Sequence, residues 1–455
     1  MGFGLQHTRA IIQLSWPMLI GQLAVLANGV ADTIMVGHYH PDHLAAIGVG
    51  ASIYATVFVV LMGVLQGLSP LIARHFGAGE FAPIGLLVRQ GAWLALAVSA
   101  LGLLLLAYPE TLLRWARLPD NVLPLAQDYL RVVAWGLPAV LLVRVFYAFT
   151  QAVGQPRAVM VINLLGLSIK IPLSYALLHG LFGLPELGMV GCGVASALAY
   201  WLIFALALWL LSRDAFYRGF ALFRGPLRPD WSAIQAILAL GLPIAIGMLV
   251  EVTSFTFMAL LLARLGAVVS GAHQIVSNLA ALFFMVPLSL GVGTQILVSH
   301  ALGRGDLRQA RQIALAGLRL ALGIALIVSG LLMTLDTQVV RLYTSHEEVA
   351  ALALTLLPIM AAFHVFDAVQ GVAAQALRGY HRTMAPMLIY SVALWGFGLG
   401  GGYWLAFEGL RWPALGLALA PQGAAGMWAA GAFSLLLAAS ALVPYLLRVS
   451  RSSSR

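Results

Sequence analysis

Long apolar runs, separated by short clusters of arginine, glycine and proline, dominate this chain. A run of 18 or more apolar residues reads as a membrane-spanning helix. About twelve are present, at roughly 11–36, 44–70, 84–108, 124–150, 157–178, 188–212, 231–263, 267–298, 309–335, 349–376, 383–407 and 426–447. The runs consume most of the length, so a soluble domain of ordinary size has no room. The pattern predicts an all-α polytopic membrane protein with about twelve transmembrane helices.

The runs repeat. Leu14-Ser15-Trp16-Pro17 matches Leu240-Gly241-Leu242-Pro243 at an offset of 226. The same offset places Gly21 on Gly247, Ala46 on Ala272, Gly67 on Gly293, Gly77 on Gly303, Gly79 on Gly305 and Glu80 on Asp306. Gly154-Gln155-Pro156-Arg157 matches Gly379-Tyr380-His381-Arg382 at 225. A constant offset over this length predicts a duplicated six-span unit. Six is even, so both copies enter the membrane from the same side, as a parallel repeat. The expected organisation is two pseudo-symmetric six-helix lobes, 1–212 and 231–455. A cytoplasmic linker, 213–230, joins them and carries Arg213, Arg218, Arg224, Pro226, Arg228 and Pro229. Two such lobes leave a cleft that rocking would open to each face in turn. Pro17 and Pro243 begin matched spans; each frees a carbonyl, giving either a bending gate or a static kink.

Composition sharpens this reading. The chain is 61% hydrophobic and 9% charged, with a formal net charge of +9. In a soluble protein that charge would suggest nucleic acid. Here the arginines punctuate short loops, the pattern that sets orientation in a membrane. With a cytoplasmic N-terminus, sixteen fall inside: Arg9, Arg74, Arg89, Arg157, Arg213, Arg218, Arg224, Arg228, Arg304, Arg308, Arg311, Arg378, Arg382, Arg448, Arg451 and Arg455. Five fall outside: Arg114, Arg117, Arg264, Arg341 and Arg411. Both termini are therefore expected in the cytoplasm. The first run outlasts the apolar region of a cleavable signal peptide. Cys192 is alone, which excludes an intrachain disulfide or a cysteine-rich metal site. Compact loops suit a bacterial inner membrane.

Asp32, Glu251 and Asp367 lie inside apolar runs, and so does Lys170, the single lysine. A carboxylate at membrane depth is costly unless it faces a partner or water, so each marks a candidate ion or proton pathway. His273 and His364 also fall in spans, where hydrogen-bonded structure is the expected role. His38, His40 and His43 cluster beside Asp42 in the first outside loop. A metal site is conceivable there, and plain loop surface is the favoured reading.

Several runs resemble the multidrug and toxic compound extrusion (MATE) family, in its NorM-type bacterial branch. They are Ala31-Asp32-Thr33-Ile34-Met35-Val36-Gly37, Gly191-Cys192-Gly193-Val194-Ala195, Glu251-Val252-Thr253, Ala272-His273-Gln274, Phe366-Asp367-Ala368-Val369-Gln370 and Leu377-Arg378-Gly379. The resemblance spans nearly the whole chain. It implies two six-helix lobes in a V and export of cationic, mostly aromatic drugs in exchange for Na⁺ or H⁺. It places Glu251 and Asp367 at the acidic pair of the C-terminal lobe and Asp32 at the acid of the N-terminal lobe. Three positions depart from the family pattern. Lys170-Ile171-Pro172-Leu173-Ser174 stands where the family reads Asn-Ile-Pro-Leu-Asn. Phe363 replaces a frequent Tyr, and Ser196 a common Thr.

The departures bear on coupling. If Lys170 approaches Asp32, the pair neutralises itself and the ammonium takes the place of Na⁺; it is then either a structural ion pair or a proton relay. Two carboxylates facing one apolar cavity cannot both stay ionised cheaply, so Glu251 and Asp367 are expected to hold a proton between them. The same acids, ionised, could hold Na⁺ with hydroxyls such as Thr253, Ser254 or Thr256. Loss of a phenol at Phe363 and the presence of Lys170 favour H⁺. Phe255, Phe284, Phe363, Phe366 and Met285, with Phe257, Phe283 and Met248, could line a cavity for flat organic cations. Core packing is the plainer reading of each alone.

Gly303-Arg304-Gly305-Asp306 matches the GxGD pattern of intramembrane aspartyl proteases, but its repeat partner Gly77-Ala78-Gly79-Glu80 marks it as a turn. No phosphate-binding glycine loop is present, which disfavours drive by ATP. The expected partners are small organic cations and the bilayer, with no nucleic acid, no prosthetic cofactor and a monomeric chain. A flippase for lipids or lipid-linked oligosaccharides shares the architecture and is the alternative. A pyrophosphate cargo would call for several cavity arginines, whereas the cavity candidates here are acids.

Overall fold

The computed structural model describes residues 2–110, 113, 119, 121–225, 228–412 and 417–452. Arg114, Arg117, Pro226 and Arg455 lie outside the described residues.

Every expected run is helical. The chain passes through α1 (Gly2–Gly37), α2 (Pro41–Leu65), α3 (Leu68–Ala78), α4 (Phe81–Ala107), α5 (Leu123–Ala134), α6 (Leu137–Ala152), α7 (Pro156–His179), α8 (Met189–Arg213) and the short α9 (Ala215–Arg218). It continues through α10 (Trp231–Ala263), α11 (Ala267–Gly303), α12 (Leu307–Thr334), α13 (Asp336–Tyr343), α14 (Glu347–Gly379), α15 (Met384–Ser391), α16 (Gly401–Tyr403) and α17 (Gly423–Ser452). Among the described residues, 11 spans are long and apolar enough to cross a membrane, or 12 if the bent pair α5–α6 is one span. The protein is thus multi-pass. Lipid offers the backbone no hydrogen bonds, so each span satisfies its own as a helix. Hydroxyls within spans follow suit by donating one turn back, as Ser52 does to Gly48 O at 2.7 Å and Ser196 to Cys192 O at 2.8 Å.

Three details refine the expected spans. The run at 124–150 is broken, with a 47° bend between α5 and α6. Pro138 explains it, since its ring would strike the carbonyl four residues earlier in a continuous helix. The run at 383–407 contains two π-helical stretches, Val392–Gly400 and Trp404–Glu408. Finally, β1 (Leu410–Trp412) and β2 (Leu417–Leu419) form an antiparallel hairpin, with Leu410 opposite Leu419. This hairpin is a small addition to a helical fold.

The repeat is visible in turn geometry. Gly79 and Gly305 take φ of 75° and 76°, a left-handed conformation that favours glycine. The Gly79 amide donates to Phe76 O and the Glu80 amide to His75 O; the Gly305 amide donates to Leu302 O and the Asp306 amide to Ala301 O. All four bonds keep the 226-residue offset. Asp306 accepts from the Gln309 amide at 2.8 Å, capping α12. The Gly303–Asp306 segment is therefore a helix-ending turn.

The chain forms two compact units, Trp16–Ala245 and Met1–Ser15 with Ile246–Arg455. Their limits differ from the expected lobes at residues 1–15 and 231–245, and fall inside α1 and α10 beside Pro17 and Pro243. Close packing explains the grouping. A side chain at Gly241 would collide with the carbonyl oxygen of Val64, and one at Gly67 would lie 2.5 Å from Ile237 O. Gly293 is pressed in the same way against Ser15. Gly67 and Gly241 are the repeat counterparts of Gly293 and Ser15, so one contact is made twice, once within each unit.

The 213–230 segment is bound into the first unit. Tyr217 and Phe220 are buried, and the Phe220 ring lies 5.3 Å from that of Phe149. Arg89 donates to Ala221 O at 3.0 Å. Gln90 donates to Arg228 O at 3.0 Å and accepts from the Asp230 amide at 2.9 Å.

Candidate functional site

In the second unit, α10 presents Glu251 and α14 presents Asp367. The two carboxylates lie close enough to repel one another, and Arg378 lies close enough to Glu251 to attract it. Asp367 is buried and Glu251 half-buried. Gln370, one turn beyond Asp367, donates to its Oδ1 at 3.0 Å. Arg378 is eleven residues past Asp367, three helical turns, so both share one face of α14 about 16 Å apart along the axis. Arg378 also donates to Gln375 Oε1 at 3.2 Å. Tyr390 of α15 lies within electrostatic reach of both acids.

Sequence reasoning missed two of these partners. Arg378 reads as a loop arginine until its place on the Asp367 face is counted in helical turns. Tyr390 comes from a different span, so no spacing could reveal it. It brings a phenol near the acids although Phe363 lacks one.

A small aromatic recess lies about one helical turn from each acid, along α10 and α14. Phe255 and Phe363 line it, with Ser254, Met258, Leu394 and Met427 among their neighbours. The Phe255 and Phe363 rings meet edge-on at 6.2 Å, and Phe363 meets Trp428 at 5.4 Å. Phe366 packs on the surrounding core, Phe284 lies against Gly371, and Met285 accepts from the Ser289 hydroxyl. These three are not among the recess-lining residues. Thr253 and Thr256 donate their hydroxyls to carbonyls of their own helix.

In the first unit, Lys170 of α7 sets its Nζ 2.5 Å from Asp32 Oδ2 of α1. It also donates to Asn28 O at 3.3 Å, and Ser174 donates to Asp32 Oδ1 at 3.5 Å. Both charged side chains are almost wholly enclosed, at 5% and 11% exposure. One charge compensates the other in an apolar setting, as a buried ion pair requires.

The histidines make ring contacts and hydrogen bonds with their neighbours. The His273 ring lies 5.8 Å from Trp428, and the His364 ring 5.8 Å from Phe283. His40 accepts from the Asp42 amide and caps α2, while His43 accepts from the Met189 amide. Among the described residues, no group of three or more His, Cys, Asp or Glu could hold a metal ion.

The MatE family model matches this chain twice, over residues 17–176 and 243–404. A probable multidrug resistance protein NorM from Aromatoleum aromaticum is 42% identical over 96% of this chain and 92% of its own length. Multidrug resistance protein MdtK from Yersinia pseudotuberculosis is 35% identical over 96% of this chain and 94% of its own. The crystal structure of the eukaryotic MATE transporter AtDTX14 superposes with a TM-score of 0.86, covering 99% of each chain at 18% identity, which speaks for the fold alone. With a family model that matches both halves and near-full-length relatives of this identity, the chain belongs to the multidrug and toxic compound extrusion family.

Proposed function

We propose that this protein is a secondary active transporter, not an enzyme, that exports organic cations by alternating access in antiport with H⁺. The observation that carries this reading is the pairing of Glu251 with Asp367, with Arg378 within reach of Glu251. Two carboxylates and one guanidinium leave a single negative charge to balance. One proton or one monovalent cation can do so. Arg378 already supplies a positive charge near Glu251, which opposes either cation there; the lack of a phenol at Phe363 and the seating of Lys170 beside Asp32 favour H⁺. The names of the relatives, multidrug resistance proteins NorM and MdtK, support drugs as the cargo.

The roles divide accordingly. Glu251 and Asp367 exchange the proton, and loss of that proton restores the charge that attracts a cationic drug. Phe255 and Phe363 give the drug an aromatic wall, with Phe284, Phe366 and Met285 nearby on the same unit. Lys170 keeps Asp32 neutralised, so the first unit takes no Na⁺. The matched halves 1–212 and 231–455 act as the two lobes of the transport cycle, with 213–230 between them. No prosthetic group is needed, because the ion gradient supplies the work. The protein acts as a monomer in the bacterial inner membrane, with both termini in the cytoplasm.

Purified protein in liposomes loaded with ethidium tests this. An imposed pH gradient should drive export without Na⁺. Export driven by a Na⁺ gradient alone would transfer the coupling to Na⁺ at Glu251 and Asp367. Failure of both gradients would refute cation export and leave lipid cargo as the reading.

A further inference from the structure

Arg144 sits within α6, in the bent fourth span of the first unit, away from every loop. Its guanidinium lies over two rings, 5.2 Å from the centre of Phe58 and 5.4 Å from that of Tyr147. Phe58 stacks in parallel on Tyr54, with centres 6.0 Å apart and planes 7° apart. Tyr54 and Tyr200 lie beside one another and within electrostatic reach of Arg144. Tyr147 is fixed from behind by donating to Asn163 Oδ1. Helices α2, α6 and α8 thus bring three phenols and one phenyl ring around a single guanidinium.

No carboxylate answers this cation. Among the described residues, none pairs with Arg144, and its Nε is buried without a hydrogen-bond partner. Asp32, the acid buried in spans of the same unit, is already matched by Lys170. A guanidinium carries five N–H donors and no acceptor. A membrane-depth arginine of this kind normally faces a partner or marks a pathway.

We infer that Arg144 and the surrounding tyrosines form a binding site for the carboxylate of a planar aromatic molecule. The site goes beyond the export of cations and uses none of the residues assigned to it. The fork of Nη groups fits a carboxylate through two parallel hydrogen bonds. The Tyr200 hydroxyl supplies a further donor, and the rings of Tyr54 and Phe58 give a flat aromatic group apolar neighbours. One unmatched cation suits one negative charge. A phosphate dianion would call for a second cation, and Lys170 is engaged.

Calorimetric titration of the full-length protein in detergent tests the site with 2-naphthoate and 2-naphthamide, which share a shape and differ in charge. Wild-type protein should bind the naphthoate at least tenfold more tightly. Arg144→Gln should bring the two within twofold, and Arg144→Lys, which keeps the charge but loses the fork, should retain part of the preference. Equal binding by wild-type protein, or a preference that survives in Arg144→Gln, would overturn the proposal. Displacement of naphthoate by an equal concentration of inorganic phosphate would overturn the choice of carboxylate. The wild-type comparison decides by itself where the variants fail to fold.

Discussion

Lys170 holds its ammonium 2.5 Å from Asp32 Oδ2, across 138 residues of sequence and two different spans. Both groups are buried, and each compensates the other's charge. Removing one partner of such a pair typically costs about 3–5 kcal/mol, because an uncompensated charge remains. Replacing both with neutral groups avoids that cost.

Lys170→Asn should therefore lower stability by about 3–5 kcal/mol, and a joint Asp32→Asn, Lys170→Met change should recover most of it. Thermal unfolding in detergent reads the stability. Efflux driven by a pH gradient should persist in the double variant, since coupling is assigned to Glu251 and Asp367. Loss of efflux in a folded double variant would make the pair a proton relay.

Glu251→Gln and Asp367→Asn should each reduce ethidium efflux at least tenfold while leaving the protein folded. Each removes a carboxylate that the exchange of H⁺ for drug requires. Initial rates in liposomes at matched protein content are the measurement, and unchanged rates in both variants would sink the proposed mechanism.

Arg378→Gln should introduce Na⁺ dependence. Without the guanidinium, the two acids face a monovalent cation with no competing positive charge. Efflux rates across a Na⁺ titration at fixed pH would reveal the change, whereas a flat response would show that Arg378 does not decide the ion.

Gly241→Ala should destabilise the protein by about 1–3 kcal/mol or more, because the new methyl meets the Val64 carbonyl. Gly247→Ala, in the same helix, should be mild, since its methyl meets only Met387 at 3.9 Å. Unfolding temperatures of the two variants, compared side by side, test the packing directly.

Orientation can be read from two engineered thiols in a Cys192→Ser background. An impermeant maleimide applied to intact cells lacking their outer membrane should label Glu186→Cys at once. It should reach Arg218→Cys only after permeabilisation. The opposite order would invert the assignment made from loop arginines.

The spans, the duplication and its turns were legible in the sequence because each depends on local chemistry. Apolar length sets a span, and a left-handed backbone at Gly79 and Gly305 calls for glycine at a fixed offset. The candidate acids Asp32, Glu251 and Asp367 stood out for the same reason, being charges in apolar runs. What those acids touch depends on how helices rotate and pack against each other. Only the tertiary structure set Lys170 against Asp32, brought Arg378 to Glu251 and Tyr390 to both acids, and set aromatic rings around Arg144. It also grouped the openings of α1 and α10 by the contacts of Ser15 and Gly241 rather than by chain order. Periodicity fixes which face of one helix a residue occupies. The partner on the next helix is chosen by packing over long sequence separations, which no local pattern encodes.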